Sequence, residues 1–403
     1  MSLLLFVPFA WFAAACGLLW LSHSRVLARL WHEPALAVPV VIVESDDWGP
    51  GPAADGEMLE RLARLLAGIR DADGAAAVMT LGVVLGKPDG AAILADDCGS
   101  YRRSTLDEPR YTVIVQAMRN GCAAGVFALQ RHGLEHCWPA SLLACARQNA
   151  ALRAWLADPD ARSEALPSAL QSRWVDAAER PSSRLPEGEI RAAVTEEAAL
   201  FCCLFADVPT VAVPNTFVWD DAVERAWAES GVRWVVTCGR RYEGRTAEGG
   251  LQPAARRIVN DETGAGGVRY VVRDAYFEPM RGHRAEQVWQ AVAERTALAR
   301  PTLLETHREN FIASPDIARA SLAELGRALE GVCRRHPAVR FLDTAQLGEA
   351  FRTPGSPLLM TDTRQRAGVF LRRLLAEPDL SRTLKLSGLR FVLPLVVRML
   401  GRM

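Results

Sequence analysis

The chain is predicted to fold as an α/β barrel of about seven or eight strand–helix units, complete or missing one strand and distorted in either case. Three observations carry this expectation. Short β-branched runs recur between residues 36 and 351, and helical patterns of ten residues or more separate them. Polar clusters also begin where several apolar runs stop, as they would at the carboxyl-end mouth of parallel strands.

In order along the chain, the strand candidates are 38–45, 75–84, 123–130, 209–214, 232–237, 268–273, 301–306 and 339–344. Helical periodicity covers 57–70, 111–120, 142–156, 190–205, 220–230, 284–299 and 315–335. Residues 162–189 hold three prolines, several serines and mixed charge, and read as a loop-rich insertion.

Both ends point to a membrane. Leu3 to Leu21 is an uncharged run of 19 residues, about the length that spans a bilayer core. Arg25 and Arg29 follow it and no positive charge precedes it, which places the following domain in the cytoplasm at the inner membrane; the alternative is periplasmic. From Arg364 onward the acids are Glu377 and Asp379 against nine cations, and the final stretch reads as a basic amphipathic helix lying in a membrane interface. The expected division is a transmembrane anchor with its basic flank at 1–35, the α/β domain at 36–352, and a linker with a membrane-associated tail at 353–403.

Composition excludes several classes. Half of the 403 residues are hydrophobic and 23% are charged, so the chain is not disordered. The formal net charge of zero argues against nucleic acid as a partner. Nine cysteines, none in a CxxC pair and most in apolar runs, read as buried free thiols of a reducing compartment.

Chemistry concentrates at three strand ends. The first strand runs into Glu44-Ser45-Asp46-Asp47-Trp48-Gly49, and paired carboxylates after an apolar run are costly unless something positive meets them. The third runs into Gln130-Arg131-His132-Gly133-Leu134-Glu135-His136, where two histidines four apart on a helical turn could converge on one ion. The strand at 301–306 is followed by His307, Arg308, Glu309 and Asn310. In a barrel all three clusters meet at one face. No P-loop or dinucleotide glycine motif is present.

These residues resemble the polysaccharide deacetylase (NodB-homology) family: Asp46-Asp47 its paired aspartates, His132 and His136 its HxxxH motif, and His307 its late Leu-x-His motif. The SDDWG, HGxEH and HRxNF segments are most similar to a divergent branch associated with polysaccharide biosynthesis. The resemblance implies one divalent ion, zinc by preference, on Asp47, His132 and His136, with Asp46 as base and His307 as acid. It implies activity peaking near neutral pH on an N-acetylated sugar of a glycan or glycolipid. Trp48, Tyr101, Trp219, Arg308 and Asn310 are candidate substrate contacts. The family's arginine motif has no counterpart; the segment from Val213 to Asp220 keeps proline and aromatics but no arginine. A non-catalytic glycan-binding protein and a metal-dependent glycoside hydrolase on the same fold stay open.

Overall fold

A computed structural model describes residues 2–253 and 257–401, with the backbone alone at 2–9, 253 and 401. All the strand candidates are present in one nine-stranded sheet, each trimmed to part of its predicted run or shifted by up to three residues. The strands are β1 Val40–Trp48, β2 Met79–Val83, β3 Phe127–Arg131, β4 Val211–Ala212, β5 Trp234–Thr237, β6 Arg269–Val272, β7 Ala275–Tyr276, β8 Thr302–His307 and β9 Arg340–Phe341. Their order is β6-β5-β4-β3-β2-β1-β8-β7, with β9 paired to the start of β1. The pairings are parallel throughout.

β6 and β7, the two ends of that order, are separated in the chain only by Arg273 and Asp274. A single segment thus pairs with β5 through its first half and with β8 through its second, so it bridges the two edges. The sheet curls into a distorted barrel as a result. β7 was not expected, because Ala275-Tyr276 follows Arg273-Asp274 directly and forms no apolar run separate from that of β6.

β1 is buried along its whole length, as a central parallel strand should be. Val41 and Val43 face a core shared with helices Ala53–Ala67, Thr112–Ala123, Ala285–Ala297 and Pro315–Arg335. Val40 and Ile42 belong to a second core with Leu303 of β8. The side that carries Ile42 also carries Glu44 and Asp46, since alternate residues share a face.

The helices follow the predicted patterns with one division. The 142–156 pattern splits into Pro139–Gln148 and Ala150–Ala157, because the Asn149 side chain caps the second helix by accepting from Ala151 N and Leu152 N. Residues 162–189 form mostly loop, with one short antiparallel pair between Val175–Asp176 and Ser183–Arg184.

The termini correct the expectation. Among the described residues no helix is long and apolar enough to cross a membrane, so the transmembrane span placed at Leu3–Leu21 is not found; the side chains of 3–9 lie outside the described residues. Helix Ser2–His32 breaks at His23 (φ −137°, ψ 24°), whose Nε2 lies 2.8 Å from Thr383 Oγ1. Ala15, Leu19, Leu27 and Leu30 pack against Leu374, Leu380, Leu384, Leu389 and Leu393. The C-terminal stretch is accordingly not one free amphipathic helix but helices Thr363–Ala376, Ser381–Leu386 and Leu389–Gly401 folded onto the N-terminal one. Arg373 fastens this unit to the barrel, donating to the carbonyls of Glu33, Pro34, Leu298 and Ala299 at 2.7–2.9 Å. The apolar runs at the two ends partner each other, which hydropathy read one segment at a time does not anticipate.

All nine cysteines are free. Cys98 and Cys137 are buried as expected, but Cys202 and Cys203 are exposed, because helix Glu187–Phe205 turns Phe201 and Leu204 inward instead.

Candidate metal centre

The first ligand candidate depends on a bulge. Ser45 pairs with Leu81 and Trp48 with Val83, so β1 carries one extra residue against β2. Asp47 absorbs it in the left-handed region (φ 71°), which aspartate tolerates better than most side chains. The bulge aims Asp47 at the segment that leaves β3.

That segment is irregular, not the helical turn expected for His132 and His136; the helix starts only at Pro139. Gly133 adopts φ 93°, which a helix cannot accommodate. The backbone here is held from outside: Glu197, buried and paired with Arg131, accepts from Gly133 N at 2.9 Å. Asn215 donates to His132 O at 2.9 Å. The two imidazoles converge all the same. Nε2 of His132 and Nε2 of His136 each lie 3.0 Å from Asp47 Oδ1, and all three side chains are buried.

These donors fit a cation. His132 Nδ1 lies 2.9 Å from the carbonyl of Val213, which can only accept, so Nδ1 carries the proton and a neutral ring leaves Nε2 with a lone pair. A lone pair facing a carboxylate oxygen at 3.0 Å repels unless a positive charge sits between them. Burial pulls His132 down, yet Asp46 and Asp47 more than offset it and raise its pKa, so the pocket favours positive charge. Two imidazoles and one carboxylate with a remaining open direction is a donor set of catalytic zinc sites.

Two polar groups flank the triad. Asp46 and His307 are partners in register on β1 and β8. Asp46 Oδ2 accepts from Arg273 at 2.7 Å, while Oδ1 is buried with no protein partner. Its surroundings leave no slack: a Cβ on Gly82 would sit 2.4 Å from that oxygen. Burial pushes Asp46 up, but Arg273, His132 and His307 outweigh it and hold the carboxyl below its ordinary value. Arg273 also donates to Glu44 at 2.9 Å and lies 3.2 Å from Glu305, so one guanidinium serves three buried carboxylates.

His307 is partly exposed and its Nδ1 lies 2.5 Å from Glu278 Oε1. Burial lowers its pKa, but the Glu278 hydrogen bond and the charges of Asp47, Glu278 and Asp46 push it up to about 10. Asn310 donates to the other Glu278 oxygen and to Thr306 Oγ1. Neither Arg273 nor Glu278 was singled out from sequence. Arg273 follows an apolar strand as the other site clusters do, and that signal was available; Glu278 follows a strand too short to see.

A cleft of about 970 Å³ opens beside the triad, lined by Asp47 and His136 together with Gly86–Pro88, Trp155, Arg162 and Arg308. Of the expected substrate contacts, only Arg308 lines it. Trp48 and Trp219 are fully buried, with indole N–H groups donated to Ser45 Oγ and Glu224 Oε1, and present no free face. Tyr101 packs in a separate core with Cys137 and Leu142. Asn310 is fully buried and positions Glu278 instead.

No family model matches the sequence, and no curated protein matches it. Among solved structures the chain is similar to a family 4 carbohydrate esterase from Streptomyces lividans in complex with acetate, at 11% identity and a TM-score of 0.36, over 78% of this chain and 97% of that one. It is similar to a peptidoglycan deacetylase from Bacillus subtilis at 11% identity and a TM-score of 0.36, over 84% and 97%. It is also similar to a 4-alpha-glucanotransferase from Thermococcus litoralis, at 8% identity and a TM-score of 0.40, over 87% of this chain and 48% of that one. Likenesses this distant decide nothing about activity, which rests on the geometry above.

Proposed function

We propose that the chain is a metal-dependent amidohydrolase that removes an N-acetyl group from an amino sugar of an envelope glycan or glycolipid. One observation carries the reading. Three convergent donors are flanked by a carboxylate kept ionised by Arg273 and, opposite it in register, a histidine kept protonated by Glu278.

Asp47, His132 and His136 would hold a divalent ion, zinc by their donor set, which would supply Lewis acidity to the site. Asp46 takes a proton from water as the water oxygen adds to the acyl carbon. The C–N bond then breaks with its electron pair on nitrogen, and His307 protonates that nitrogen as it leaves. Asp46 gives up its proton and His307 regains one. The sum is amide plus water to acetate plus ammonium. A glycosidase would need a protonated carboxyl as its acid; the Arg273 contact keeps Asp46 from that role.

Metal content tests the site. Purified protein is expected to hold about one divalent ion per chain, to lose activity with a chelator, and to regain it on adding zinc. Asp47→Ala and His136→Ala are expected to bind none. Wild-type protein that binds no metal yet releases acetate would overturn the proposal.

We further infer peripheral attachment to the cytoplasmic face of the inner membrane through the terminal helices. Leu18, Trp20, Leu21, Leu386, Phe391 and Met399 are exposed there. Residues 381–401 carry Arg382, Lys385, Arg390 and Arg398 and no acid. Apolar side chains among cations suit anionic headgroups.

A further inference from the structure

The cleft is edged by cations that the hydrolytic steps do not use. Lys87, Arg110 and Arg162 line it together with Asp47 and His136, and the same three line an adjoining hollow. They come from three separate places: the short strand Gly86–Pro88, the turn Pro109–Tyr111 and the loop insertion. Arg308 stands beside them but is fully engaged by Glu164, at 2.6 and 3.1 Å.

Their neutralisation is incomplete. Among the described residues Lys87 has no carboxylate within ion-pair distance, and its ammonium donates only to Pro159 O at 2.9 Å. Arg110 meets Glu108 at 2.7 Å and Ser104 Oγ at 2.6 Å. Arg162 forks onto both oxygens of the buried Asp55, each at 3.4 Å. Of the acids on the same walls, Asp89 caps helix Gly90–Ala95 and Asp158 accepts from Asp160 N, while Asp160 lies beside Lys87 in the adjoining hollow without pairing with it. Burial lowers the Lys87 pKa, the neighbouring Arg110, Arg308 and Arg162 lower it further, and Asp160 offsets part of this.

We propose that Lys87, Arg110 and Arg162 form a subsite for a phosphate or diphosphate group carried by the same sugar whose acetamide is presented at the metal centre. The proposal rests on the deacetylase reading for the second half of that statement. It makes the substrate an activated or carrier-linked amino sugar, not a neutral polymer. A diphosphate bridges cations from separate segments through several charge-assisted hydrogen bonds, which a neutral hydroxyl cannot do.

The test uses the full chain, first without metal, since diphosphates chelate divalent ions. Calorimetry compares a uridine diphosphate N-acetylglucosamine, a short polyprenyl diphosphate N-acetylglucosamine and neutral diacetylchitobiose. At least one diphosphate sugar is expected to bind roughly tenfold or more tightly than the neutral one, less so as salt rises. Which carrier prevails identifies the source of the diphosphate. In K87Q/R110Q that preference is expected to vanish while neutral-sugar binding stays. Neither substitution strands a buried carboxylate, because Lys87 has no such partner and Glu108 keeps solvent contact. Equal affinity for all three sugars, a preference untouched in the variant, or loss of all binding alike overturns the subsite. Metal-loaded protein then separates the two claims. Acetate release with no preference for a diphosphate sugar overturns the subsite and leaves the deacetylase standing. Variant-sensitive diphosphate binding with no acetate from any sugar does the reverse.

Discussion

At the scale of single residues, the site is a set of opposed protonation states, each fixed by a named neighbour. His307 is the clearest case. The Glu278 hydrogen bond and the nearby carboxylates raise its pKa above the ordinary histidine value, which favours its protonated form at neutral pH. Activity is therefore expected to fall on the alkaline side, with a limb above the ordinary histidine value. Glu278→Gln removes the charge that holds the proton and leaves a neutral partner. The alkaline limb of kcat/KM is then expected to move down toward the ordinary histidine value of about 6.5. An alkaline limb that stays in place in Glu278→Gln would show that another group supplies the proton.

At the scale of elements, the closing segment from Arg269 to Tyr276 unites barrel and site. Its guanidinium at position 273 meets Glu44, Asp46 and Glu305 inside the barrel, so the segment that bridges the sheet edges also sets the base. Burial already holds Glu44 and Glu305 above the ordinary carboxylate range, with Arg273 pulling the other way. Arg273→Met would leave these charges uncompensated, at a cost of about 3–5 kcal/mol. The sign with pH follows. Without Arg273 the folded-state carboxyl pKa values rise further above their unfolded ones, so the deficit is small at acid pH and grows as pH rises through the folded values. Denaturant unfolding at pH 5 and pH 8 checks this; equal deficits at both would contradict it. Most of this element was legible in sequence. The apolar run before Arg273 announced β6, and a charge placed after an apolar run marked each other part of the site. Its partner across the barrel was not legible, since only the curl of the sheet brings position 273 to Glu44. The HxxxH geometry was misread for a related reason: Gly133, Glu197 and Asn215 shape that loop, and the last two are remote in sequence.

At the scale of the whole molecule, the alternation of strands with helices and the convergence of three strand ends were readable, because period and polarity are local properties. The pairing of the two termini was not, because each apolar run looks self-sufficient until its partner is seen. The unit they form predicts a partition experiment. The protein should sediment with vesicles containing anionic lipid, less at high salt, and Phe391→Ser with Leu395→Ser should weaken that binding several-fold. Equal binding to neutral vesicles, or none to either, would contradict the attachment. The central claim concerns the chemistry, and one measurement reaches it most directly: product analysis with N-acetylated amino sugars, comparing metal-loaded wild type with Asp46→Asn. The account predicts acetate and free amine in equal amounts, and a rate reduced by about 10²–10⁴ in the variant. Release of reducing ends or phosphate without acetate, or full activity in Asp46→Asn, would contradict it.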